Sequence, residues 1–118
     1  MPNIYDFKQL YRRTERGVGL TGSTVRLKLP QVKPRTLRVL THVTAENQTT
    51  GYTKCRLGII NLGNDHYLDE LTVIAADELA VSRSNILLGE GDVFFAEFTG
   101  TITDDLLIMT CVGWELDL

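Results

Sequence analysis

The chain has 118 residues with 12 basic and 15 acidic side chains, a formal charge of −3, 43% hydrophobic residues, two cysteines and three prolines. That is the material of one domain; the ordinary apolar fraction excludes disordered, collagen-like and disulfide-scaffold classes, and no run approaches the roughly 18 apolar residues of a membrane-spanning helix. The small net charge conceals a division, because residues 1–38 hold nine basic and two acidic side chains (+7) whereas residues 39–118 hold three basic and thirteen acidic ones (−10).

The segment Met1 to Tyr11 lacks the apolar core and small-residue cleavage site of a secretory signal, so synthesis in a cytoplasm is expected. Ile4 to Arg16 mixes Tyr5, Phe7, Leu10 and Tyr11 with Lys8, Arg12, Arg13 and Arg16, a spacing compatible with a short amphipathic helix stopped by Gly17 and Gly19. From Leu20 to Arg35 the chain carries a short alternating stretch, Val25 to Leu29, and a Pro30/Pro34 segment that forbids helix and disfavours a central strand. Residues 1–35 therefore read as an extended basic arm outside the core, and residues 36–118 as the body.

Beyond Pro34 apolar residues recur at period two between glycine and Asn/Asp clusters, the pattern of half-buried strands. Leu37, Val39, Thr41, Val43 and Ala45 alternate with Arg38, Leu40, His42 and Thr44. Strands follow over Tyr52–Ile60 and Tyr67–Ala75, separated by the turn composition Asn61-Leu62-Gly63-Asn64-Asp65. Ala76–Ala80 is read as a helical turn and Ile86–Leu88 as a short strand. Val93–Thr99 and Leu106–Trp114 flank Gly100–Asp105, which has the length and composition of a hairpin loop. Six or seven short strands with fourteen threonines and no βαβ rhythm predict an all-β fold, an antiparallel β-sandwich or jelly roll with an extended N-terminal arm.

Both faces of the last two strands are apolar: Phe94, Ala96 and Phe98 oppose Val93 and Phe95, while Leu106, Ile108, Val112 and Trp114 oppose Leu107, Met109 and Cys111. A sandwich strand normally has one polar face. Such double-sided apolarity calls for a cover, from the chain's own arm or another subunit, unless these are simply central strands beneath a loop.

No catalytic motif emerges. His42 and His66 are the only side chains whose unperturbed titration falls near neutrality, and neither lies in a triad or elbow context. The carboxylate pairs Asp69-Glu70, Asp77-Glu78 and Asp104-Asp105 are adjacent, so on strands they face opposite sides, unlike a glycosidase pair across a cleft. The loops holding Glu90, Asp92, Asp104 and Asp105 lack a calcium ladder, and Gly89-Glu90-Gly91 lacks the Lys-Ser or Lys-Thr of a phosphate loop. Cys55 and Cys111 read as buried reduced thiols, and no zinc spacing can be drawn with two histidines. Asn47-Gln48-Thr49 fits the glycosylation pattern, which is short enough to occur by chance. No cofactor or metal is expected, and the chain is read as non-enzymatic. The arm's interleaved tyrosines and basic residues would suit nucleic acid, but the acidic body repels phosphate. Attachment of arm to body, within a subunit or between neighbours, is the stronger reading.

The stretch Gly89-Glu90-Gly91-Asp92-Val93-Phe94-Phe95-Ala96-Glu97-Phe98-Thr99-Gly100, followed by Asp104 to Glu115, resembles the closing hairpin of small β-sandwich proteins from tailed-bacteriophage virions. The resemblance implies a non-enzymatic virion component, made in a host cytoplasm, such as a head decoration (cement) protein or a head-to-tail joining protein. On that reading the chain is a homo-oligomer that stabilises the capsid or joins subunits, with no membrane partner. Lys8, Arg12, Arg13 and Arg16 of the arm, with Phe94, Phe95 and Trp114 of the hairpin, are the candidate partner contacts. The alternative is a jelly roll that binds a carbohydrate or another polymer through Tyr52, Tyr67 or Trp114.

Overall fold

The computed structural model describes residues 8–49, 52–74, 80–82 and 85–118. Residues 4–7 of the expected helix, Ala75 of the expected strand and residues 76–79 of the expected helical turn lie outside them, while Ala80 of that turn begins a strand. Among the described residues nine strands are formed: β1 (Lys8–Val18), β2 (Val25–Lys28), β3 (Thr36–Asn47), β4 (Tyr52–Asn61), β5 (Asn64–Ile74), β6 (Ala80–Ser82), β7 (Ile86–Leu88), β8 (Val93–Thr99) and β9 (Leu106–Asp117). They make two antiparallel sheets packed as a β-sandwich. Sheet A runs β1-β9-β3-β6, with β7 also paired to β3, and sheet B runs β2-β8-β4-β5.

The core lies between the sheets, where Leu40, Val43, Leu107 and Met109 from sheet A meet Leu57, Phe94, Ala96 and Phe98 from sheet B. Each of these positions follows from alternation: β8 and β9 point every second side chain inward. On β3 the alternation changes phase. Leu40 pairs with Gly113 and His42 with Val112, so Thr41 is an extra residue in the ladder, a β-bulge. Before the bulge Thr36, Arg38 and Leu40 are the inward set, and after it Val43, Ala45 and Asn47. The single phase predicted for Leu37 to Ala45 therefore holds only for its second half. The Thr41 hydroxyl donates to the Val112 carbonyl at 3.2 Å.

Three expectations are corrected. Residues 8–16 are strand, not helix, because β1 pairs with β9 over its whole length, from Lys8–Leu116 to Val18–Leu106. An eleven-residue ladder of backbone hydrogen bonds overrides a weak helical periodicity. Second, the basic segment does not stand outside the core from Lys8 onward: Leu27, Leu29 and Val32 are buried in it, and Leu29 and Val32 donate backbone hydrogen bonds to the carbonyls of Phe94 and Asp92. Third, β8 and β9 are not a hairpin. β8 lies between β2 and β4 in sheet B, and β9 between β1 and β3 in sheet A.

The Gly100–Asp105 loop thus carries the chain from one sheet to the other. Asp105 anchors it from inside: buried, its carboxylate accepts from Asn47 Nδ2 at 2.9 Å and from the Ile102 backbone N–H at 2.8 Å. The Gly19 N–H donates to the Asp105 carbonyl at 2.8 Å, which ties the β1–β2 connection to the same loop.

At the opposite end, the β4–β5 turn places Leu62 at φ 51° with 93% of its surface exposed. A left-handed backbone disfavours a branched bulky side chain and suits Asn or Gly. Leu62→Asn is expected to raise stability by about 0.5–1 kcal/mol in urea unfolding; a loss would show that Leu62 makes a contact that offsets its backbone strain.

Candidate functional site

The two outer faces of the sandwich differ in kind. On sheet B the register brings Arg26, Glu97, Arg56 and Glu70 into one row across β2, β8, β4 and β5, with alternating charge. Arg26 Nε donates to Glu97 Oε1 at 3.0 Å and its Nη2 to Asp65 at 2.7 Å and to the Tyr67 hydroxyl at 3.1 Å. Arg56 Nε donates to Glu70 at 3.1 Å. The hydrogen bond from Arg26 holds the Asp65 carboxyl below its ordinary range and raises the guanidinium in return. The solvent-exposed pairs of this row contribute little singly, because water screens them.

Beneath this row lies Phe95, which points away from the core yet is fully buried. Gly58 opposite it has no side chain, so the Phe95 ring occupies the space where a Cβ would sit, with Cζ 2.6 Å from that position. The Arg26 guanidinium covers the ring at 4.3 Å from its centroid, and Tyr67 packs edge-on at 5.7 Å. The cover anticipated for the second face of β8 is therefore the chain's own Arg26 and Tyr67.

Sheet A is different. Residues paired directly across an antiparallel ladder share a face, so its outer face reads in rows. Leu10, Trp114, Val39 and Leu87 form one; Arg12, Val112 and His42 the next; then Thr14, Thr110, Thr44 and Val81; then Arg16, Ile108 and Glu46; then Val18 and Leu106. Leu10 is 70% exposed, Leu87 65%, Val18 58% and Leu106 53%, so the apolar rows are open to solvent. Val39, by contrast, is buried at the centre of its row. Arg12 and Arg16 are exposed on β1 and make no ion pair among the described residues, and neither does Glu46.

An open groove of about 220 Å³ lies at one end of this face, lined by Arg16, Gly17, Gln48, Leu106, Leu107 and Ile108. It is smaller than the roughly 300 Å³ at which small-molecule sites begin, and it fits a side chain better than a metabolite. Among the described residues no group of three or more His, Cys, Asp or Glu side chains is arranged to hold a metal ion. His42 lies on the outer face of sheet A and His66 on β5 of sheet B, so the two histidines do not converge.

The structure distributes the candidate partner contacts unevenly. Lys8, Arg12, Arg13 and Arg16 all fall on β1. Arg13 points to the other side of the strand from Arg12 and Arg16 and pairs with Glu15 at 2.7 Å. Trp114 belongs to the apolar row of sheet A, half-buried. Phe94 and Phe95 are fully buried, one in the core and one under Arg26, and present no surface to a partner. Sequence reasoning missed Leu10, Val39 and Leu87 as companions of Trp114, because only the strand register brings them into one row.

Two basic residues of the N-terminal segment meet body carboxylates within the subunit: Arg26 as described, and Arg38, whose Nε donates to Glu115 at 2.9 Å. Arg38 is buried, also donates to the Pro30 carbonyl at 2.8 Å, and stacks on Tyr11 at 4.2 Å. Burial pushes the Tyr11 hydroxyl up from its ordinary value, with Arg38 opposing.

Cys55 and Cys111 are unpaired and fully buried, and burial pushes both thiols up to about 12. Their thiolates are therefore suppressed near neutrality. In Ellman's reagent at pH 8, neither is expected to react until denaturant unfolds the chain, when both should; fast titration of either thiol in the native protein would contradict this placement.

No family model and no curated protein matches this chain. Among solved structures, it is similar to the nucleoplasmin-like N-terminal domain of Drosophila FKBP39, with a TM-score of 0.51 and 11% sequence identity over 95% of this chain and 92% of that one. At that identity the likeness is one of fold, and it places this chain among two-sheet antiparallel β-sandwiches.

Proposed function

We propose that this chain is a non-enzymatic structural subunit of a phage particle that works by docking the outer face of sheet A onto neighbouring subunits. The observation that carries the reading is the contrast between the two outer faces. Sheet B is closed by its own ion pairs over Phe95, whereas sheet A leaves Leu10 and Leu87 open in the row of Trp114 at one end and Val18 and Leu106 open at the other, with Arg12, Arg16, Glu46 and a row of threonines between them. Exposed apolar side chains set among polar ones on one face mark an interaction surface. The virion setting, as a decoration or joining protein, rests on the sequence likeness of residues 89–115 alone, because these two strands do not pair as the hairpin in that likeness. Docking is assigned to this sheet face, with β1 as its basic border, in place of a free arm and hairpin. The polymer-binding alternative is left with Trp114, since Tyr67 is held under Arg56 at 4.3 Å and against Phe95, and the Tyr52 side chain lies outside the described ones.

Light scattering over a concentration series, with co-sedimentation on tailed-phage heads, tests the reading. The native chain is expected to associate or to bind heads, and Leu10→Glu or Leu87→Glu to abolish this with an unchanged β-sheet circular dichroism spectrum. A chain that stays monomeric and ignores the particle, or variants that associate as well as the parent, would sink it.

A further inference from the structure

We infer that the occupant of the sheet A face is a second copy of this chain, related by a two-fold axis that runs along β9 in the plane of the interface. The inference rests on the docking role just proposed for that face and adds the partner and its orientation. The argument begins with charge. The outer face carries a basic column on β1, Arg12 and Arg16, an uncharged column on β9, Val112, Thr110 and Ile108, and Glu46 on β3 in the same row as Arg16. Arg16 and Glu46 are one strand apart on either side of Ile108; neither makes an ion pair within the subunit among the described residues, and Glu46 Oε1 accepts from Gln48 Nε2 at 3.4 Å.

Of the in-plane two-fold axes that stack such a face on itself, two keep the strands aligned with those of the partner. An axis across the strands lays β1 over β1 of the partner, so that the Arg12 and Arg16 columns face each other, an arrangement that like charges disfavour. An axis along β9 lays β1 over β3 of the partner and keeps the rows in step. Arg16 then faces Glu46 of the partner subunit, and by symmetry Glu46 faces Arg16 of the partner subunit. Ile108 meets its own copy, and so does Trp114. Arg12 comes to His42 of the partner subunit. A contact of this type is isologous and closes at two copies.

The size of the contact sets its strength. Three strands spaced about 4.8 Å apart and about 36 Å long overlap, which covers roughly 500 Å² on each copy, or roughly 1,000 Å² in total. That is the lower limit of specific interfaces, so the dimer is weak and concentration-dependent.

Sedimentation analysis of charge-swapped chains is the test. Arg16→Glu alone and Glu46→Arg alone are each expected to weaken self-association at least tenfold, because each sets two like-charge pairs across the axis. An equimolar mixture of the two variants should regain association at the parent's concentration, at the mass of a dimer, since both cross-pairs are then opposite in charge; this recovery also shows that the variants are folded. The double variant Arg16→Glu with Glu46→Arg should behave like the parent. If the swaps and their mixture leave association unchanged while Leu10→Glu abolishes it, the docking face stands and the two-fold is wrong. Recovery at masses above a dimer would likewise overturn the two-fold in favour of an open chain. A parent that never self-associates removes the second copy as occupant, and binding to phage heads under the same conditions decides separately whether the face docks at all.

Discussion

Replacing Gly113 with alanine is expected to abolish the fold. A Cβ there would overlap the Val39 carbonyl oxygen and lie 2.8 Å from its carbon and 2.9 Å from the Leu40 Cα. All three are backbone atoms of β3, so no side chain can move aside. The close approach is a consequence of the bulge: Leu40 pairs with Gly113, and the next pair is His42 with Val112. β3 and β9 are the central pair of sheet A, and every other strand of that sheet hangs on one of them. Relieving the clash means separating the two strands where the ladder changes register. The loss is expected to exceed about 4 kcal/mol, the range reserved for gross steric or core defects, and the variant should be insoluble or lack a cooperative thermal transition. Gly89→Ala is the control, because a Cβ there meets only Asp92 Oδ2 at 3.8 Å, an ordinary contact, and it should melt within about 0.5 kcal/mol of the parent. A Gly113→Ala chain that melts normally would show that the two central strands can part there without cost.

The second large effect is expected at Arg38. Its side chain is 4% exposed, and it holds Glu115, the Pro30 carbonyl and the Tyr11 ring at once. Arg38→Ala leaves a carboxylate and a carbonyl without their donor and opens a void between β1 and β3. Breaking one side of a buried pair costs about 3–5 kcal/mol; Glu115 retains some access to solvent, so about 3 kcal/mol is expected, read as a lower midpoint in urea with an unchanged slope. Arg38→Lys should recover little, since a single ammonium cannot serve two acceptors in fork geometry and stack on a ring. Arg38→Met combined with Glu115→Gln should recover most of the loss, because the uncompensated charge is gone. If Arg38→Ala costs under about 0.5 kcal/mol, the cluster is not a structural tie.

The expected strands over Tyr52–Ile60, Ile86–Leu88 and Val93–Thr99 match observed strands closely, because period-two apolarity and glycine or Asn/Asp turns are local signals. Residues 8–16 were misjudged because strand character there depends on pairing with β9, nearly a hundred residues away. The loop 100–105 was misjudged because a polar six-residue connection has the same composition whether it closes a hairpin or crosses between sheets. The buried anchor Asp105 and its donor Asn47 lie 58 residues apart and give no joint signal in the chain.

The candidate site shows the same limit. The apolarity of Leu106, Ile108, Val112 and Trp114 on one side of the last strand was legible, as was the need for something to cover it. Which other residues complete that face was not, since Leu10, Val39 and Leu87 join Trp114 only through the ladders of three strand pairs.

Charge was legible as a total for each segment, +7 and −10, and its meaning was not. By itself the sequence determined an all-β chain with a basic beginning and an acidic remainder, because strand periodicity and composition are properties of neighbouring residues. Only the tertiary structure decided that Arg26 and Arg38 are neutralised inside the subunit while Arg12 and Arg16 border an open apolar face, because register and the change of phase at Thr41 set which charges meet.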